Sequence, residues 1–359
     1  MMNFKIAVIP GDGIGVDVIN EAVKALDKIG ELYGHTFQYE HRLVGGCCYD
    51  EYGVPIQDET IEICKTCDAI LFGAAGGPKW DSLPFELRPE RGLGRLRKEF
   101  NLFANLRPSK IYEDLKEKSP LKNRIIEKGV DLMLIRDLTG GIYFSEKGNR
   151  IGKYGEEAYD VECYSKFEVE RVARKAFEIA RGRRKLVTSI DKFNALYSGK
   201  LWRDTVTEVA KDYPDVNLEH MLVDKAAMEI ACNPSRFDVM LTTSIFGDIL
   251  SDEAGVTTGS VGMLPSAAIN EKGFGLYEPI HGTAPDIAGM GIANPLASFA
   301  AVEMMLRIGL KLHEEAAAID RAINKVLHDG YRTGDIFMPG NTKVTTKEMG
   351  ELTVERITK

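Results

Sequence analysis

Phe4-Lys5-Ile6-Ala7-Val8-Ile9-Pro10-Gly11-Asp12-Gly13-Ile14-Gly15 decides the class of fold. Its first seven residues alternate and are rich in Ile and Val, which predicts a strand over 4–10. Beyond the glycines, Val18, Ile19, Ala22, Val23, Leu26 and Ile29 recur at the spacing of one helix face, predicting a helix over 16–29. A dinucleotide fold places its phosphate loop between such a strand and helix. The spacing here is G-x-G-x-G, one residue short of that fingerprint, and the loop alone reads better as a tight turn needing glycine's backbone freedom.

Working outward, the alternation continues. Strands are expected over 36–43, 69–72, 131–136, 186–190, 217–223 and 239–242. Helices are expected over 58–67, 166–181, 199–212, 246–253 and 314–327, with another after Asn294-Pro295, a pair suited to N-cap and first helical turn. Strand alternating with helix predicts an α/β protein with helices packed on a largely parallel sheet. A chain of 359 residues is long enough for roughly two domains.

Composition narrows the function. With 54 acidic against 46 basic side chains the formal charge is −8, which disfavours general binding to nucleic acid or anionic membranes. The longest charge-free stretches, 254–270 and 287–302, are too rich in Gly, Ser, Thr, Asn and Pro to span a bilayer. The opening residues are too short an apolar run for a signal peptide, so a cytoplasmic location is expected. Six cysteines are too few for a disulfide scaffold. Cys47-Cys48 and Cys64-Lys65-Thr66-Cys67 read as reduced, half-buried thiols before they read as a zinc site.

Several constellations could carry chemistry. Asp248 and Asp252 fall at i and i+4 of a helix whose neighbours Ile245, Phe246, Ile249 and Leu250 are apolar. Like charges so placed repel, unless a hard cation such as Mg²⁺ or Mn²⁺ lies between them; an exposed acidic face is the alternative. Asp224, at the end of the 218–223 strand, is the natural third carboxylate. Arg97, Arg107 and Arg136 offer planar forks for carboxylates, although singly each reads as a surface ion pair. Tyr143 follows a glycine pair that would let backbone approach a ligand, and Lys192 lies just past a strand. A nearby cation would lower the pKa of both groups and suit them to acid–base work. The loop 278–289 could wrap an adenosine, with Asp286 accepting from ribose hydroxyls.

Taken in order, IPGDGIG (9–15), GGPKW (76–80), RPERGLGRLRK (88–98), LFANLRP (102–108), RDLTGGIYF (136–144), DKFN (191–194), LEHMLVD (218–224), IFGDILSD (245–252), EPIHGTAPDIAG (278–289) and GIANP (291–295) resemble the β-decarboxylating dehydrogenases, the isocitrate/isopropylmalate dehydrogenase family, over nearly the whole length. The isopropylmalate branch is the nearer. The resemblance implies an α/β, isopropylmalate dehydrogenase-like two-domain fold around a shared mixed sheet, not a Rossmann fold. Residues 1–103 and 259–359 would form a discontinuous, cofactor-binding first domain. Residues 104–258 would form the second, carrying substrate and metal residues and the dimer interface.

The resemblance also implies roles. Arg97, Arg107 and Arg136 would hold the carboxylates of a 3-substituted malate, and Leu93 would contact its substituent. Asp248 and Asp252, with Asp224 from a second subunit, would hold Mg²⁺ or Mn²⁺, with Asp224 also near the substrate. Tyr143 would be the general acid and Lys192, reaching in from the partner, the base-side residue. NAD would lie against Ile14 and Glu90 at its nicotinamide end. His281, Gly282, Thr283, Ala284, Pro285, Asp286, Ile287 and Asn294 would line its adenosine half. A carboxylate at 286 repels a 2′-phosphate, which favours NAD over NADP. The expected unit is a homodimer with active sites shared between subunits. Two departures stand out. The isopropylmalate enzymes usually carry Leu-Leu where this chain has Leu93-Gly94, a change that removes about four carbons, or on the order of 2 kcal/mol of apolar contact, and points to room for a larger substituent. Ser244 replaces the Asn common before Ile-Phe-Gly-Asp.

Overall fold

The computed structural model describes residues 1–359 as two compact units: Met1–Leu102 with Tyr112–Lys118 and Thr258–Lys359, and Phe103–Ile111 with Ser119–Thr257. The first unit therefore draws on both ends of the chain.

Along the chain it begins with β1 (Asn3–Gly11), α1 (Ile14–Tyr33), β2 (Thr36–His41), α2 (Gly46–Tyr52), α3 (Asp58–Cys64), β3 (Ala69–Ala74) and α4 (Glu90–Glu99). The second unit supplies β4 (Ala104–Lys110), α5 (Asn123–Ile126), β5 (Asp131–Asp137), β6 (Lys147–Gly152), β7 (Gly155–Asp160), α6 (Lys166–Arg181), β8 (Leu186–Asp191), α7 (Tyr197–Ala210), β9 (Asn217–Leu222), α8 (Val223–Cys232), β10 (Val239–Thr242) and α9 (Ser244–Val256). The chain then returns to the first unit with β11 (Pro265–Ile269), β12 (Gly275–Pro279), α10 (Leu296–Met304), α11 (His313–His328) and α12 (Thr346–Glu355).

In the first unit the strands run β2-β1-β3-β12-β11, parallel except for the β11–β12 pair. The strand β3 is buried throughout and β1 over Ile6–Ile9, and these stretches read as continuous apolar runs, as strands covered on both faces do. The helix α1 buries Val18, Ile19, Ala22, Leu26 and Ile29, the face read from the spacing. In the second unit the order is β4-β5-β10-β8-β9, with only β4–β5 antiparallel. Because β5, β10, β8 and β9 are parallel, their C-terminal ends share one edge, where an open α/β sheet gathers its functional groups. Arg136, Thr242 and Ile190 stand level in neighbouring strands, as do Asp191 and Leu222. The helix starts are locally encoded: Ser165 and Glu168 close a capping box on α6, and Asn294 Oδ1 accepts the Leu296 N–H at the start of α10.

The glycine loop holds protein to protein. Asp12 N–H donates to the Ala74 carbonyl and Ile14 N–H to the Thr283 carbonyl, each at 2.8 Å. A Cβ at Gly11 would fall 1.9 Å from the Ala74 carbonyl oxygen, and one at Gly13 2.1 Å from that of Thr283. Both glycines have positive φ. The Asp12 carboxylate accepts from the Gly46, Cys47 and Gly76 N–H groups at 2.8, 2.7 and 2.9 Å, so the loop is a junction of three segments.

The six cysteines are free, and burial beside Asp12 pushes the Cys47 thiol up to about 12. No helix is long and apolar enough to cross a membrane.

Candidate functional site

In the second unit the geometry starts from β4. Asn105 and Arg107 are two apart on a strand and so share a face. Arg107 Nε donates to Asn105 Oδ1 at 2.8 Å, and its Nη1 donates to Ser251 Oγ at 2.7 Å. The antiparallel register sets Arg136 opposite Asn105. The Arg136 guanidinium is buried; Nε donates to the Ser244 carbonyl at 2.7 Å and Nη1 to Asp248 Oδ1 at 2.6 Å. Its stem fits because position 247 is glycine: a Cβ there would meet Arg136 Cγ at 2.6 Å and Cβ at 2.7 Å.

Asp248, Ser251 and Asp252 follow at i, i+3 and i+4 of α9 and present one face. Arg107 Nη1 lies 3.7 Å from Asp248 Oδ1 and 3.5 Å from Asp252 Oδ1. The carboxylate repulsion expected from spacing is thus offset within the chain by a half-fork of arginine. Tyr143 completes the group: its hydroxyl donates to Asp248 Oδ2 at 3.1 Å, and the Arg136 guanidinium lies 5.5 Å from its ring centre. Burial and the Asp248 carboxylate raise the Tyr143 pKa, against the pull of Arg136 and Arg107. In the metal-free chain the phenol therefore keeps its proton.

The glycine pair before Tyr143 has a structural reason. A Cβ at Gly140 would meet the Tyr164 ring at 2.6 Å, and one at Gly141 would meet Ser244 Oγ at 2.5 Å and Tyr164 Oη at 2.6 Å. These glycines admit a buried tyrosine from their own unit.

Lys192 and Asp224 meet each other. They follow the adjacent parallel strands β8 and β9, so the register brings them together, and Lys192 Nζ donates to Asp224 Oδ1 at 2.6 Å. That bond holds the Asp224 carboxyl below the usual carboxylate range. Asp224 sits in the first turn of α8, one step beyond the strand where it was expected. Within one chain no three His, Cys, Asp or Glu side chains gather as a metal cage. The donor set nonetheless fits a hard divalent ion. Asp252 is 72% exposed and Asp248 40%, so both carboxylates keep free lone pairs, and oxygen is the ligand such ions prefer.

The first unit holds the remaining residues. Arg97 lies in the last turn of α4, and its Nη2 donates to Glu278 Oε1 on β12 at 2.8 Å. One turn earlier on α4 are half-buried Leu93 and Gly94, and a Cβ at Gly94 would meet nothing within 4 Å. Glu90 opens α4 and packs its carboxylate on Gly76. The loop after β12 is pinned by the Ile14–Thr283 bond and by Gly289 N–H donating to Asp17 Oδ2 at 2.9 Å. This leaves Gly282, Pro285 and Asp286 exposed, with Ala284 at φ 37° and Ile287 half-buried.

His281 is the strongest sign of a ligand in this loop. Its Nδ1 lies 2.9 Å from the Gly282 carbonyl, while Nε2 is buried with no partner. Burial lowers its pKa, so the ring is neutral, with Nδ1 donating and Nε2 left as an acceptor. Asn294 spends its amide on Asp335 Oδ2, Met263 Sδ and the Leu296 N–H, which limits it to backbone or edge contact with a ligand. An orphaned buried acceptor fits a ligand that brings a hydrogen-bond donor to this loop.

Sequence reasoning did not single out Asn105, Ser251, Glu278 or Asp335. The period of 2 on β4 could have paired Asn105 with Arg107, and i, i+3 spacing could have added Ser251. Glu278 and Asp335 meet Arg97 and Asn294 only through tertiary contact, which no local pattern encodes.

A family model described as isocitrate/isopropylmalate dehydrogenase matches residues 5–353. Over 357 residues the chain is 55% identical to a 3-isopropylmalate dehydrogenase of Clostridium acetobutylicum, covering 99% of this chain and 100% of that one. A 3-isopropylmalate dehydrogenase of Clostridium pasteurianum is 53% identical, with the same coverage of 99% and 100%. Among solved structures, an isocitrate dehydrogenase from Methylococcus capsulatus superposes with a TM-score of 0.87 at 32% identity, covering 99% of each chain.

Proposed function

This chain belongs to the isocitrate/isopropylmalate dehydrogenase family, and we propose that it catalyses the NAD- and divalent-metal-dependent oxidative decarboxylation of (2R,3S)-3-isopropylmalate to 4-methyl-2-oxopentanoate and CO₂. The observation that carries the reading is the Arg107–Arg136–Tyr143–Asp248–Asp252 cluster, which joins paired guanidinium forks to two partly open carboxylates and a protonated phenol. The names of its relatives at 53–55% identity favour the isopropyl substituent. Leucine biosynthesis in the cytoplasm is the corresponding role.

Asp248 and Asp252, with Asp224 of a second copy, are the residues to hold Mg²⁺ or Mn²⁺. Ile14, Glu90, His281, Gly282, Thr283, Ala284, Pro285, Asp286, Ile287 and Asn294 are those to hold NAD. When bound, NAD supplies the hydride acceptor and the cation the Lewis acidity toward the new carbonyl. Arg97, Arg107 and Arg136 grip the two malate carboxylates, with the fork geometry that carboxylate recognition favours, and Leu93 contacts the substituent. Lys192 is the base-side residue that helps the C2 hydroxyl lose its proton as oxidation proceeds. After CO₂ leaves, Tyr143 gives its phenolic proton to C3, and Asp248, hydrogen-bonded to that phenol, sets its direction.

Sharing between two copies is supported by the pairing of Lys192 with Asp224, which joins no three-carboxylate group within one chain, and by apolar side chains left open on α8 and α9, namely Met228, Ile249 and Val256. A homodimer covers them and exchanges the pair.

The test is NADH formation with Mn²⁺ and a panel of 3-substituted malates, D-malate, tartrate and isocitrate. Metal-dependent turnover with isopropylmalate as the best substrate is expected. Turnover with a bulkier aryl or alkyl malate alone would reassign the substrate, a reading that the open space above Gly94 keeps specific.

A further inference from the structure

The segment 138–144 links β5 to β6 and delivers Tyr143 without a strand or helix of its own. Its backbone N–H groups need acceptors from elsewhere. Asp137 Oδ2 takes those of Thr139 and Gly140 at 3.0 and 2.6 Å, while Oδ1 takes the Thr139 hydroxyl at 3.1 Å. The Cys163 carbonyl takes the Gly141 N–H at 2.8 Å. Glu162 Oε2 takes the Ile142 N–H at 2.7 Å. Four consecutive amides are thus each assigned one acceptor. Next in sequence, the Tyr164 ring fills the space left by Gly140 and Gly141, and its hydroxyl oxygen accepts the Ser244 N–H at 2.8 Å. Residues 162–164 therefore brace the turn on one side and reach α9, which carries Asp248, on the other.

We propose that Glu162 is a positioning residue for Tyr143: by fixing the peptide of Ile142, it sets the direction from which the phenol meets Asp248. A bond from a backbone N–H to a carboxylate is about twice as strong as one to a neutral acceptor, and Ile142 immediately precedes the tyrosine. Keeping the carboxylate there has a cost. Burial and the nearby Asp137 carboxylate both act against its ionised form, and the Ile142 N–H acts for it. Thr139 adds a second brace through Arg171, whose guanidinium lies over the Phe103 and Phe167 rings. The inference rests on the reading in which Tyr143 donates the proton in turnover.

The experiment compares steady-state kinetics of Glu162→Ala, Glu162→Gln and Tyr143→Phe, and of Glu162→Ala combined with Tyr143→Phe, on isopropylmalate with NAD⁺ and Mn²⁺. Glu162→Ala is expected to lower kcat about tenfold with both KM values within about twofold, the pattern of a displaced reacting group. Glu162→Gln, whose amide oxygen still accepts from Ile142, should recover most of the loss. In the Tyr143→Phe background, Glu162→Ala should subtract nothing further. An undiminished kcat in Glu162→Ala beside a crippled Tyr143→Phe overturns the positioning role alone. Equal losses in both backgrounds do the same, because they mark a merely structural contact. A fully active Tyr143→Phe removes the role of the tyrosine itself, and this inference with it. If the alanine variant does not fold, Glu162→Asp, which withdraws the carboxylate by one methylene, supports the same comparison.

Discussion

Gly247→Ala is the most discriminating perturbation of the second unit. Gly247 lies in the first turns of α9, where alanine normally stabilises a helix by about 0.5–1 kcal/mol over glycine. An exposed site would simply gain that amount. Here the added Cβ falls 2.6 Å from Arg136 Cγ, 2.7 Å from its Cβ and 3.2 Å from its Cδ. Carbon atoms pack at roughly 3.5–4.0 Å, so about 1 Å of overlap must be relieved. The atoms met are the root of the side chain, not its flexible end. Arg136 is also anchored by its strand register with β4 and β10 and by its bonds to the Ser244 carbonyl and Asp248. Overpacking of that kind costs typically 1–3 kcal/mol. Against the gain in helix propensity, a net destabilisation on the order of 1–2 kcal/mol is expected.

The functional cost should exceed the stability cost. A guanidinium displaced by about 1 Å loses its alignment with Asp248 and with a bound carboxylate, a misplacement that can lower turnover about 100-fold. Urea unfolding, read for a lower midpoint at unchanged slope, measures the first effect, and kcat/KM for isopropylmalate the second. A variant more stable than the parent and equally active would refute the reasoning, because Arg136 would then not be seated against α9.

Three further outcomes are expected. Asp248→Asn should weaken Mn²⁺ binding at least tenfold by titration calorimetry. It should also destabilise the protein by about 1–2 kcal/mol, since two largely buried arginines lose a counter-charge that solvent only partly replaces. Asp286→Lys with Ile287→Tyr should shift the ratio of kcat/KM values from NAD⁺ toward NADP⁺, read by paired cofactor assays. Burial lowers the pKa of both His220 and His281 in the folded chain. The unfolded chain therefore takes up protons first, and Tm should fall as pH drops below about 6.5, with the slope reduced in His220→Gln.

What the sequence disclosed depended on whether burial imposed a period. Lys166–Arg181 and Val239–Thr242 match their expected limits, because one has a buried helical stripe and the other is buried throughout. The β6–β7 hairpin was not anticipated: its residues are exposed or half-exposed on both faces, so no apolar alternation betrays it. The strands β11 and β12 escaped for the opposite reason. Both are buried on every residue and composed of small or mixed side chains, which leaves no polar face to alternate with. Helix α4 buries only Gly92 and Leu96 of its ten residues, too little apolar surface to announce a helix that carries Leu93 and Arg97.

The aspartate pair marks the limit of spacing as a guide to chemistry. Two carboxylates at i and i+4 point to a cation when read by spacing alone, since like charges there are unfavourable. In the folded chain Arg107 stands within 4 Å of both, and Arg136 neutralises Asp248 directly. Repulsion alone therefore requires no metal. What distinguishes a metal-binding pair from a merely balanced one is residual capacity, and the two aspartates differ in it. Asp248 gives one oxygen to Arg136 and the other to Tyr143, whereas Asp252 meets only Arg107, at 3.5 Å, and is mostly exposed. An ion arriving from the Asp252 side would find one free carboxylate and one already oriented by its neighbours. The arginines that balance the pair in its absence would then be released toward the substrate's own carboxylates.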